Sequence, residues 1–193
     1  DYSHIVAPAT ATPLTDRAIT GDSDAAMALV TAVGNGSNLV LDPDLDSFYV
    51  MDAVVVKMPQ LALSAHAFEV AVLEAAGAGP LSFEARAGIL MGLATMNRDY
   101  EALLGSLNEA EAASADGSVR ANLAPARAAL EEGYEPFRAL GDRVLASVGA
   151  TGEIPAMGAH IPEHEAFLAG LDTAWRMSNA DLERLLSERL DRL

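Results

Sequence analysis

The chain has no cysteine, which excludes disulfide bonds and thiolate metal sites. The absence fits an oxidising compartment without requiring one. Aromatic residues make up only 5% of the chain, and alanine dominates the 51% that is hydrophobic. Such a composition suits closely packed helices better than a sheet. Positive charge is scarce too. Twelve Lys and Arg stand against 28 Asp and Glu, a net charge of −16. A nucleic-acid partner needs a basic footprint and is excluded, and docking on anionic lipid is disfavoured for the same reason. No run approaches the ~18–20 uninterrupted apolar residues of a membrane span. The opening Asp1-Tyr2-Ser3-His4 lacks the basic start of a signal peptide. No G-x-S-x-G, phosphate loop or dinucleotide fingerprint occurs. No catalytic residue is therefore assigned, no cofactor is expected, and this domain is not expected to be an enzyme.

What is present reads as helix throughout. The 193 residues are expected to form one domain, 1–193. The first thirteen, with Pro8 and Pro13, read as irregular or as a short broken helix. Asp22 or Ser23 caps a helix through Ala25, Leu29, Val30 and Val33, ending near Gly34-Asn35-Gly36 or running on to Leu41. Asp42 then reads as an N-cap with Pro43 at the first helical position. That helix reaches about Ala76, with Pro59 kinking or dividing it near Met58. Gly77-Ala78-Gly79-Pro80 is a stop and turn, and Ser82 caps the next helix.

The stripe Ile89, Leu93, Met96, Tyr100, Leu103, Leu107 has the alternating four- and three-residue spacing of a heptad. After a turn at Ser114-Ala115-Asp116-Gly117 the pattern returns at Val119, Leu123, Ala126, Leu130, Gly133, Phe137, Leu140 and Val144, with bends expected at Pro125 and Pro136. Gly149 to Pro162 reads as a loop. The final helix is expected to bury Leu168, Leu171, Trp175, Leu182, Leu186, Leu190 and Leu193, and it reads as still in progress at the end of the sequence. Gly88 and Gly92 are expected to let two helices approach closely. Heptad spacing and short turns predict an all-α fold, an elongated up-down bundle of four-helix type.

One segment is too particular for a generic helix. From Leu39 to Leu61 the sequence places Asp42, Asp44 and Asp46 at alternate positions. Phe48, Tyr49 and Asp52 follow, then Val54-Val55-Val56 and the chain's only lysine, Lys57, just before Pro59. This segment resembles a stretch in the extracytoplasmic sensor regions of bacterial transmembrane receptors, the sensor histidine kinases and methyl-accepting chemotaxis proteins. The residues that carry the likeness are Leu41, Asp42, Pro43, Asp44, Asp46, Ser47, Phe48, Tyr49, Met51, Asp52, Val54, Val55, Lys57, Pro59 and Leu61. Phe48 and Lys57 depart mildly from the usual Tyr and Arg.

The resemblance implies a periplasmic ligand-sensing domain whose flanking membrane spans lie outside this sequence. It would pass ligand binding through its last helix to a cytoplasmic kinase or chemotaxis module. It also implies a homodimer and a small-molecule or periplasmic-protein partner. The candidate ligand-binding residues are Asp46, Tyr49, Asp52 and Lys57. A cationic amine on Asp46 and Asp52, or a small anion on Lys57, are both compatible with them. Asp52, set among apolar neighbours, needs a partner, either in a polar pocket shared with Tyr49 or across to another helix. Lys57 either holds an anion or pairs with a bundle carboxylate, and Pro59 frees the carbonyl of Val55.

Other constellations are weaker. Asp42, Asp44 and Asp46 open like a calcium loop, but the sixth position is not glycine and the twelfth is Ala53. His160, Glu163, His164 and Glu165 form the one metal-like cluster. Pro162 puts His160 in the preceding loop, so a charged helix start with surface histidines is expected and no metal is assigned. His66 reads as a polar position on a long helix. The alternatives to a sensor are a soluble helical metal- or cofactor-binding protein, for which no Glu-x-x-His pair is found, and a structural dimerisation module.

Overall fold

The structure is a computed structural model that describes residues 23–36, 44–158 and 161–191. Among these the chain is helical, and the one β feature is an isolated parallel bridge between Ala76 and Ile154. Helix α1 is Ser23–Gly36, α2 Leu45–Asp52, α3 Met58–Ala75, α4 Phe83–Ala113, α5 Ser118–Thr151 and α6 Pro162–Leu190. A π-turn, Ala53–Lys57, joins α2 to α3 without a break. The expectations for residues 1–13, for Asp22, for Leu41, Asp42 and Pro43, for His160 and for Leu193 lie outside the described residues. Within them, α2 begins at Leu45 with Asp44 as its N-cap.

Heptad spacing places one stripe of α4 and one of α5 at the core, and every residue of both predicted stripes is buried. The scarce aromatics are concentrated there. Phe137 packs against Phe68 at 5.6 Å and Phe167 at 5.9 Å, while Tyr134 lies flat on Tyr100 at 3.6 Å. Each fully buried ring contributes roughly 1.5–3 kcal/mol by leaving water. Helix α5 runs unbroken through Pro125 and Pro136.

Helix α6 departs from expectation. Its buried residues are His164, Phe167, Leu171, Ala174, Ser178, Asp181, Leu182 and Leu185, whereas Leu168 and Trp175 are part-exposed and Leu190 is 70% exposed. Small residues bring α6 against α5. A Cβ on Gly133 would lie 3.0 Å from the backbone of Ala166 and Phe167, and one on Gly170 would collide with the Ala129 carbonyl. The close approach expected of Gly88 and Gly92 occurs here instead. Gly88 faces open space, and a Cβ on Gly92 would make ordinary contact with Phe68 at 3.5 Å.

The turn after α3 uses Gly77 and Gly79 at φ of 72° and 81°, a region that favours glycine. It is tied to the segment after α5, where Gly77 N–H donates to Ile154 O at 3.0 Å and Leu81 N–H to Gly152 O at 2.8 Å. This tie lays residues 152–154 across the end of α3.

Leu45–Ala75 is long and apolar enough, by length and composition alone, to cross a membrane. The expectation of no such stretch counted uninterrupted apolar residues, whereas a Val- and Ala-rich average passes. In this fold Leu45–Ala75 is a bundle helix with Val50, Leu61, Phe68 and Val72 in the core.

Candidate functional site

The π-turn falls inside the distinctive segment, and its cause is legible residue by residue. Pro59 has no N–H, and in an α-helix its ring would press on the Val55 carbonyl. The backbone widens instead, so that Met58 N–H donates to Ala53 O, five residues back. In that register the Val54 carbonyl would be served by residue 59, which as proline has no hydrogen to give. Trp175 of α6 supplies the missing donor, its indole N–H reaching Val54 O at 3.2 Å. The freed carbonyl is thus Val54's rather than the expected Val55's, because the register is π and not α.

Asp52 opens this turn and Lys57 closes it. Ser106 of α4 donates its hydroxyl to Asp52 Oδ2 at 2.6 Å, and Lys57 Nζ lies 3.8 Å from the same oxygen. Asp52 therefore reaches across to another helix, and Lys57 pairs with it. Tyr49 is part-buried, edge-on to Phe48 at 5.3 Å. Asp46 sits apart. It accepts from the N–H of Ser47 at 2.7 Å and borders a cavity of about 270 Å³ at the start of α2, shared with Asp44, Asp116 and Glu188. Beside the π-turn, Met58, Pro59, Leu171 and Trp175 line an apolar groove of about 250 Å³.

A second constellation joins α3 to the start of α6. Glu69 is buried, and its Oε2 lies 2.7 Å from Nδ1 of His164 and 3.4 Å from Nδ1 of His66. Its Oε1 accepts from the N–H of Ile161 at 3.3 Å. The imidazoles of His66 and His164 stack at 6.0 Å, and Phe137 packs on His164 at 5.1 Å. Burial lowers the pKa of His164, with the Glu69 carboxylate pulling the other way. The Nε2 of His164 is buried without a hydrogen-bond partner among the described residues.

The chain matches no known protein family, no curated protein and no solved structure. Its functional reading therefore rests on its own geometry and on the resemblance of one segment. Of the four residues singled out in that segment, Asp52 and Lys57 meet at the π-turn, Tyr49 lies on α2, and Asp46 belongs to a separate acidic cavity. His164 was expected at the surface but is 3% exposed, while Glu163 turns away to Arg143 at 3.0 Å. Sequence reading missed Glu69 altogether. The available signal was His66 and Glu69 three residues apart, a spacing that puts both on one helix face.

Proposed function

We propose that this chain is the ligand-sensing extracytoplasmic domain of a bacterial signal-transduction receptor, lying on the periplasmic side of the inner membrane. The four long helices act as an up-down bundle. A change at the distinctive segment passes through α6 to a cytoplasmic kinase or chemotaxis module. The observation that carries this reading is the Trp175–Val54 hydrogen bond. It couples the π-turn of the segment resembling sensor regions directly to the last helix. π-Turns are uncommon and concentrate at functional sites, and a turn of five residues has a compact α-helical alternative. A ligand that prefers one register moves the partner of Trp175, and with it α6.

Between the two ligand charges considered, the geometry favours a cation. Lys57 is already engaged by Asp52, and the cavity beside Asp46 carries Asp44, Asp116 and Glu188. Arg189 and Arg184 offset Asp44 and Glu188, so Asp46 and Asp116 carry the excess negative charge that disfavours an anion.

The decisive test is the coding sequence around this chain. Hydrophobic spans of about 20 residues on both sides are expected, and their absence overturns the receptor reading. Once a ligand is known from a metabolite screen, titrating Asp46→Asn, Asp52→Asn and Lys57→Met shows which charge it uses. Unchanged binding in all three places the ligand elsewhere.

A further inference from the structure

We propose that His66, Glu69 and His164 form a binding site for a borderline divalent transition-metal cation of the Zn²⁺ type, tying α3 to the first turn of α6. Their ligand atoms all lie within 4.8 Å of one another. A zinc ion with bonds of about 2.0–2.1 Å in tetrahedral geometry holds neighbouring ligand atoms about 3.3–3.4 Å apart. The separation of His66 Nδ1 and Glu69 Oε2 is 3.4 Å. His164 Nδ1 and the same oxygen are at hydrogen-bond distance, 2.7 Å, so a cation there takes the place of the proton between them. Two imidazoles and one carboxylate suit zinc, cobalt or nickel. Calcium and magnesium prefer all-oxygen ligands.

The surroundings fit the same reading. Glu69 is held by the Ile161 N–H on its other oxygen, which fixes the carboxylate as an outer partner fixes a ligand. His164 is clamped under Phe137. The His66 side chain is 62% exposed, so the site opens to water on that side. Three protein ligands leave the fourth tetrahedral position to water, unlike a closed structural site with four protein ligands. Coordination through Nδ1 moves the ring proton of His164 to the buried Nε2, which has no hydrogen-bond partner among the described residues. That cost keeps the site weaker than a closed cage and suits reversible occupation.

This inference is independent of the receptor reading, since a cation bound here joins the same two helices in any protein. The experiment uses the full chain, freed of metal by chelation and titrated calorimetrically with Zn²⁺, with Co²⁺ as a spectroscopic probe. One equivalent is expected, with four-coordinate Co²⁺ absorption and a rise in Tm of about 5–10 °C at a hundredfold excess over Kd. His66→Ala, on the exposed side, should fold with unchanged metal-free Tm. It should weaken binding by more than the roughly 10- to 100-fold typical of losing an outer partner. Glu163→Gln, a neighbour outside the cluster that pairs with Arg143, should leave binding unchanged. Failure of the unmodified chain to bind one equivalent overturns the proposal. So does binding that His66→Ala leaves intact, because His66 is then not a ligand and the three-residue site does not exist.

Discussion

Replacing Trp175 by phenylalanine tests the reason for the π-turn's partner. Phenylalanine keeps most of the ring but removes the N–H that serves Val54 O. A buried carbonyl left unpaired costs about 1–3 kcal/mol. The smaller ring at a position 40% exposed loses at most about 1 kcal/mol of apolar burial. The decisive comparison is the same substitution made with Pro59→Ala. Alanine at 59 has an N–H in position for Val54 O in the π register, or for Val55 O if the turn relaxes to α. The carbonyl then has a chain partner, and only the burial difference remains. A coupling of about 1–2 kcal/mol is expected from urea unfolding followed by circular dichroism, with each kcal/mol moving Tm by about 2–4 °C. Because Pro59 and Trp175 line one groove, lost ring contact contributes in the same direction. The indole N–H proton resonance separates the two effects. As the chain's single tryptophan, Trp175 gives one signal, which should be protected from exchange in the unmodified protein and exposed in Pro59→Ala. Equal costs in both backgrounds, or an indole N–H equally protected in both, refutes the account.

Three further outcomes follow from packing and charge. Gly170→Ala should destabilise by about 1–3 kcal/mol, because its methyl meets the Ala129 carbonyl, whereas Gly88→Ala in open space should stabilise by about 0.5–1 kcal/mol; thermal melts of the two decide it. Burial pushes the Tyr100 phenol up to about 12, with Glu131 adding to the effect, and raises the Tyr134 phenol as well. The unfolded chain therefore loses these protons first, so the stability they lend is complete below pH ~10 and declines between about 10 and 12. Tyr100→Phe should flatten that part of the pH–stability curve. Finally, the subunit charge of −16 opposes self-association, and Phe83 and Met91 on α4 are 81% and 69% exposed. Sedimentation should find a monomer–dimer equilibrium shifted towards dimer by salt, and Met91→Arg should abolish it.

The sequence was most legible where one physical rule governed. On α4 and α5, leucine, methionine and aromatic residues recur at heptad spacing, and those faces meet the core. On α6 the same rule misled, because core positions are taken by His164, Ser178 and Asp181, while the leucines at 168 and 190 turn outward. Two of these polar residues have partners on other helices: His164 with Glu69, and Asp181 with Asn122 at 2.6 Å. Such partners, distant in sequence, leave no periodic trace. Pro59 announced a disturbance, but not that the helix would widen rather than kink. That outcome depends on Trp175, more than a hundred residues away. The histidine–glutamate cluster was hidden for the same reason. The buried Glu69 carboxylate finds its partners in Ile161 and His164, more than ninety residues on.

The short tie between the turn after α3 and residues 152–154 has a consequence for how the molecule opens. Gly77 and Leu81 on one side, and Gly152 and Ile154 on the other, bracket the whole α4–α5 hairpin and close it at its base. Local fraying of either helix end is then resisted by hydrogen bonds whose partners lie far apart in sequence. The amides of Gly77 and Leu81 should exchange with solvent only when that hairpin opens as one unit, so their protection measures a cooperative event although they lie in a turn.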